Sequence, residues 1–425
     1  MIENFLHYIW KKRLYKTGSH QTVNGEPLDI IDPGTENIDA GPDFFNAKVK
    51  IGNTTWAGNI EIHKKASDWF KHYHHKNEDF NNVILHVVCE YDTRVFNYNN
   101  IEIPAWIIPY DITDMYNHQK LFKEQLWLPC SNKIDTIEPI IIDQWLEIML
   151  KEKLAAKSSK IKLLLEKTIN DWNEVFYILL VRNFGFGLNS EPFEQLARKT
   201  PWRVVAKNSD NLIRLEALFL GQAGFLNKIT PDDKYTDKLL AEYNYLSKKY
   251  ALTPLKKHHW KFLRLRPSNF PTVRLVQMAS LFYKQRVNLT QVISKKSSNE
   301  LLSLLESSPK GYWEDHYIPD ILASQKEKNL GKTSRKLIII NTLIPITYAY
   351  GELRALHDLK KKALTWLKEL PCEENSIITK WKSLGLNPQN AADSQALIYL
   401  RQKYCKTKQC YKCKIGQMVI SKFPV

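Results

Sequence analysis

The order of apolar and polar positions divides this chain into a strand-rich first part and a long helical remainder. After Asp43 the residues alternate: Ala47, Val49 and Ile51 fall on one face and Asn46, Lys48 and Lys50 on the other, the two-residue period of a strand. Gly52-Asn53 is a turn signal. A second strand is expected from Thr55 to His63, with Trp56, Ile60 and Ile62 on one face and Asn59, Glu61 and His63 on the other. The pair forms a hairpin with an aspartate at the base of one arm and Glu-x-His on the other.

The flanking pattern predicts a helix over residues 2–16, carried by Phe5, Ile9 and Leu14, and a short strand at Leu28-Asp29-Ile30-Ile31 closed by Asp32-Pro33-Gly34. Ser67-Asp68 reads as a helix cap before Trp69. Val83 to Val88 is a nearly continuous apolar run of the kind that fills a sheet interior, and Ile101 to Ile108 is expected to extend the sheet.

Beyond a connector from Pro109 to about Pro139 the period becomes helical. Helices are expected over 141–165, 171–184, 192–198, 211–225 and 237–250, with Gly221 and Gly224 marking close packing. The segment Leu337 to Tyr350 is interrupted by Asn341, Thr342 and Pro345 and reads as a buried helix. It is shorter than the roughly 20 residues of a membrane span. No repeat of fixed period is visible. The expected fold class is α+β: a mixed sheet with flanking helices over 1–130, then a large α-helical domain over 131–425.

Charge separates the same two parts. Of the 425 residues, the first 130 hold 13 basic and 17 acidic residues, a net of −4; the remainder holds 48 basic and 28 acidic, a net of +20. A basic domain joined to an acidic metal-type site suits a polyanion, so nucleic acid is the expected partner. The start Met1-Ile2-Glu3 lacks the features of a signal peptide, and no membrane segment is expected, so the expected location is the cytoplasm. Three arginines, Arg264, Arg266 and Arg274, stand among aromatics and prolines before a helix start and are the candidate phosphate contacts outside the hairpin. The alternative is a structural loop whose arginines pair with buried carboxylates such as Glu216.

Two carboxylates on adjacent strands can hold a hard divalent cation, and a water bound to it can attack a phosphodiester. The stretch GPDFFNAKVKIGNTTWAGNIEIH resembles the PD-(D/E)xK nuclease superfamily. That pattern is an aspartate at a strand start, a hairpin, then Glu-x-Lys on the next strand. Pro42-Asp43 and Glu61-Ile62-His63 occupy those places, with His63 where the superfamily has lysine. The resemblance implies a nuclease-like sheet, Mg2+ or Mn2+ at Asp43 and Glu61, and His63 orienting or deprotonating water. Asn37, Asp39 and His86 are accessory candidates. His86, His63 and one of His72 or His74 could line the cleft beside the carboxylates, and such a mixed set suits Mn, Fe or Zn better than Mg. His86 also reads as a core histidine with a backbone partner. The leading function is metal-dependent hydrolysis of DNA or RNA. The alternatives are a non-catalytic nucleic-acid-binding protein on the same fold and a metal-dependent hydrolase of a small phosphorylated substrate.

The tail carries a second pattern, Cys405-x4-Cys410-x2-Cys413. Three cysteines in nine residues of an intracellular-looking protein argue for a metal rather than disulfides. Four ligands are needed, and Cys130 in the connector is the candidate fourth, with zinc preferred over an iron–sulfur cluster. Cys89 and Cys372 read as ordinary thiols. Nearly the whole chain, through GPDFFNAK, GNIEIHKKASDW, NVILHVV, LEALFLGQAG, RPSNFPTVR and the Cys tail, resembles a bacterial family known as a domain of unknown function.

Overall fold

The computed structural model describes residues 2–16, 18–37, 41–110, 127–226 and 233–422. The chain is α+β and divides into two compact units: residues 1–145 with 399–425, and residues 146–398. The tail therefore groups with the sheet, whereas the sequence places it in the helical domain and sets the boundary at 130. The tail joins the sheet unit through contacts of its Cys410–Lys412 turn with the helix Ile2–Lys12 and of its last helix with the Ser131–Thr136 turn, long-range contacts that local pattern does not encode.

In the first unit, helix α1 (Ile2–Lys12) carries Phe5, Leu6, Ile9 and Trp10 on its buried stripe, with Glu3 in its first turn and Lys11 and Lys12 in its last, charges that suit the helix dipole. It ends four residues before the expected Lys16: Arg13 turns left-handed (φ 53°) and Leu14 is exposed.

The strands are β1 (His20–Gln21), β2 (Pro27–Asp32), β3 (Thr35–Glu36), β4 (Phe44–Ile51), β5 (Thr54–Lys65), β6 (Val83–Glu90) and β7 (Ala105–Ile107). Their order is β1-β2-β4-β5-β6-β7, with β3 also on β4. Pairing is antiparallel from β1 to β5 and parallel from β5 to β7. The antiparallel β4 alternates buried and exposed as its period predicts. By contrast, β5 is buried continuously from Gly58 to His63, because one face meets the α1 core and the other meets Trp69, Phe80 and Val88. Trp56, expected on one face with Ile60 and Ile62, is exposed at the hairpin end while those two are buried. The strand expected over 101–108 is confined to Ala105–Ile107, preceded by an isolated Phe96–Glu102 bridge.

The parallel β5–β6 step needs a crossover. It is made by the single turn α2 (Asp68–Lys71), a turn at His74–Lys76 and another at Glu78–Phe80. Ser67 does not cap α2 as expected; its hydroxyl donates to Asp92 at 2.7 Å.

The second unit is helical. Trp172–Phe184 begins at Asp171, whose carboxylate accepts from the backbone of Asn173 and Glu174. Gly221 lets Leu212–Gln222 lie against Tyr243: a Cβ at Gly221 would stand 2.1 Å from the ring. The expected buried helix over 337–350 runs as Lys332–Ile338, a π turn Ile339–Leu343, and Ile344–Leu353; Pro345 sits just past the wide turn. Among the described residues no helix is long and apolar enough to cross a membrane.

Candidate metal centre

Glu61 and His63 leave β5 on one face because they are two residues apart. His86 on β6 is in register with Glu61. His72 and His74 come from the crossover, where Tyr73 adopts a left-handed conformation (φ 60°) that brings its neighbours round to the sheet.

The result is a tight cluster. His63 Nε2 lies 3.0 Å from His72 Nδ1 and 3.5 Å from Glu61 Oε1. His74 Nε2 is 3.1 Å from Glu61 Oε1. Ligand atoms of His63, His72 and His74 all fall within 4.8 Å of one another. On its far side, His63 Nδ1 is 2.8 Å from His86 Nε2. Trp69 and Phe80 wall the site, Phe80 stacking on the His74 ring at 3.9 Å. His86 thus has a histidine partner in place of the expected backbone one.

Asp43 and Glu61 are bound crosswise. The Asp43 N–H donates to Glu61 Oε2 at 3.1 Å, and the Ile62 N–H donates to Asp43 Oδ2 at 2.9 Å. Asp43 Oδ2 also faces His7 Nε2 of α1 at 3.2 Å. His7 is a site residue that sequence reading missed, since nothing in α1 signals that its partly polar face meets the base of β4. Asn37 is tied to the start of β4: its N–H donates to the Asp43 carbonyl and its amide to the Pro42 carbonyl. Asp39 lies outside the described residues.

The electrostatics of this cluster follow from burial. Burial and the Asp43 charge push the Glu61 carboxyl up to about 9. Burial, then neighbouring imidazoles, pull His63 down to about 2 and His86 to about 3. Burial lowers His74 to about 4 against the opposing Asp43 charge. His7 moves the other way. Burial lowers it, but the Asp43 hydrogen bond and the charges of Asp43, Glu61 and Glu36 outweigh that and raise it. Neutral imidazoles are the form that binds a metal. The buried Nδ1 of His86 has no hydrogen-bond partner, and Nε2 of His74 makes no aligned hydrogen bond although Glu61 Oε1 stands 3.1 Å away, so both nitrogens are left with unsatisfied capacity.

The remaining candidates separate. Arg264 and Arg266 are exposed. Arg274 is buried and held by the side chains of Gln277 (2.9 Å) and Asn269 (2.7 Å) and stacked on Phe186 at 4.3 Å, so the phosphate role expected of it is corrected to a structural one. Its partners are uncharged, the two amides and the Ser334 hydroxyl, and Glu216 instead accepts from Tyr235 and Trp313. A basic cavity of about 500 Å3 in the helical unit, lined by Lys157, Lys160, Lys167, Arg182 and Arg198 with Glu194 as its carboxylate, was not visible in the sequence, because its cations come from three helices.

Cys130, Cys405, Cys410 and Cys413 all lie within the first unit as free thiols, three of them buried, with their sulfurs spread more widely than the 4.8 Å that encloses the histidine ligand atoms. Charge on each of Cys130, Cys410 and Cys413 would be felt at Cys405.

The fold and site describe a mixed-sheet protein with a histidine–carboxylate cluster between two parallel strands and their crossover. The chain belongs to the family described as Protein of unknown function (DUF2851), whose model matches residues 3–376. No curated protein and no solved structure matches the chain.

Proposed function

We propose that the protein is a metal-dependent phosphodiesterase acting on nucleic acid, with Glu61, His63, His72 and His74 as its metal ligands. The observation that carries this is the convergence of Glu61 Oε1, His63 Nε2 and His74 Nε2, at 3.1 and 3.5 Å from the carboxylate oxygen, with His72 Nδ1 a further 3.0 Å from His63. Ligands about 2.0–2.1 Å from a shared ion in tetrahedral array stand roughly 3.3 Å apart, close to these three separations; His63, His72 and His74 offer atoms all within 4.8 Å of one another, and Glu61 approaches His63 and His74. Three imidazoles and one carboxylate favour Mn, Fe or Zn over Mg. Such an ion would supply Lewis acidity and a water acidic enough to be ionised near neutral pH.

The protein's own groups take the other roles. His86 fixes the ring of His63 through its Nδ1. Both ring nitrogens of His63 face other histidines, which makes it a ligand in this reading rather than the water-orienting group. Asp43, anchored by the Ile62 N–H and His7, is the proton acceptor. His7 provides the positive charge that a PD-(D/E)xK site takes from lysine. The order of Asp43, hairpin and Glu61 on a mixed sheet with flanking helices supports a nuclease-like fold, and the basic cavity of the helical unit supports a polyanionic substrate.

The test is hydrolysis of single- and double-stranded DNA, RNA and a simple phosphodiester by the purified chain with Mn2+, Zn2+, Fe2+ or Mg2+. Activity should require the ion and disappear in Glu61→Gln and His74→Ala. A wild-type chain inert on every substrate with every ion contradicts the proposal.

A further inference from the structure

The four cysteines lie apart from the histidine cluster and have no part in the hydrolysis proposed above. They come from three places in the chain. Cys130 starts a short turn, Ser131–Thr136; Cys405 ends a π turn, Arg401–Cys405; Cys410 and Cys413 flank a single 3-10 turn leading into the helix Lys414–Lys422. That helix packs on both the Ser131–Thr136 turn and the Cys410 turn.

The local geometry serves the sulfurs. The N–H groups of Ile415 and Gly416 are turned to the Cys413 sulfur and favour its thiolate. Gly416 is required by closeness: a Cβ there would stand 2.3 Å from the Cys410 carbonyl oxygen and 2.9 Å from its Cα. N–H donors turned to a cysteine sulfur at a Cys-x2-Cys turn are the outer shell of a thiolate ligand. As free thiols the four are disfavoured from ionising by burial, and Cys130 is pushed up to about 12; a bound cation reverses that, since coordinated thiols are deprotonated.

We propose that Cys130, Cys405, Cys410 and Cys413 form a four-thiolate metal centre, holding zinc or an iron–sulfur cluster, that locks the C-terminal segment onto the sheet unit. The lock reaches the candidate active site through charges on the page. Lys412, between Cys410 and Cys413, pairs with Glu36 of β3, and Glu36 also accepts from Lys11 of α1 at 2.7 Å. The helix α1 carries His7, which holds Asp43. The centre is thus a brace, and its metal is distinguishable from that of the histidine site by its sulfur ligands.

The experiment uses the full chain and X-ray absorption at the zinc and iron edges, with total zinc, iron and acid-labile sulfide measured alongside. The expected result is a sulfur shell at about 2.3 Å, from either one zinc or iron with matching sulfide per chain; the second pair of readings identifies which. Cys130→Ser and Cys410→Ser should lose that shell and about ten times the metal affinity or more, while Cys89→Ser keeps it. If the serine variants do not fold, the native chain still decides: Cys89 and Cys372 should react with a thiol reagent, and the other four only after a chelator strips the metal. Metal with only nitrogen and oxygen neighbours, or four thiols whose reactivity ignores the chelator, overturns the proposal.

Discussion

Nε2 of His86 stands 2.8 Å from Nδ1 of His63, across the parallel pair β5–β6. In the proposed site the contact would make His86 a support for a ligand. If His63 held a metal at Nε2, its proton would stand on Nδ1 and be donated to His86. Replacing His86 with leucine removes the acceptor and leaves the His63 N–H buried and unpaired. Metal affinity at the cluster should fall about 10- to 100-fold, measured by competition with a chelating dye. Affinity equal to wild type would make His86 a packing residue.

The hairpin, the buried strand β6 and the helical remainder were legible because each has its own period. What was hidden is where the two faces of β5 go. Its alternation put Trp56 beside Ile60, but burial on both sides of the strand erased the pattern from Gly58 to His63. The histidine cluster was legible as a group and not as a geometry. His63, His72, His74 and His86 were visible as neighbours in sequence, yet the left-handed Tyr73 that joins two of them to the sheet has no sequence signal of its own. His7, which arrives by tertiary packing, had none either. Arg274 looked like a phosphate contact because pattern cannot tell a buried guanidinium held by amides from an exposed one.

Glu216 makes stability pH-dependent in the helical unit. Burial raises its carboxyl to about 7, against the bonds from Tyr235 and Trp313 that lower it. A folded-state value above the unfolded one means the contribution is full below about pH 4.5 and is lost as pH climbs through about 7. The loss approaches about 3 kcal/mol at the alkaline end. Glu216→Gln cannot ionise, so its unfolding free energy should be flatter between about pH 5 and pH 8 by denaturant titration. A variant with the wild-type slope would show that another group carries the dependence.

Polyanion binding should follow exposure. Lys160 and Lys167 border the basic cavity, and replacing both with glutamine should flatten the log–log salt dependence of duplex DNA binding by up to about two units. Arg264 and Arg266, both exposed, should each contribute at most about one unit. Arg274→Gln should leave that slope unchanged and lower thermal stability, since its guanidinium is packed inside the unit. Fluorescence anisotropy across a salt series reads the first two effects and calorimetric melting the third. A slope insensitive to all four surface cations would place the polyanion elsewhere.

The account rests on one ion held by Glu61, His63, His72 and His74. Anomalous diffraction from crystals soaked in Mn2+, recorded at the manganese edge, locates it directly. The predicted result is a peak about 2.0–2.2 Å from Glu61 Oε1, His63 Nε2, His72 Nδ1 and His74 Nε2, absent from crystals of His74→Ala. Saturating metal with no peak among these four residues would contradict the account.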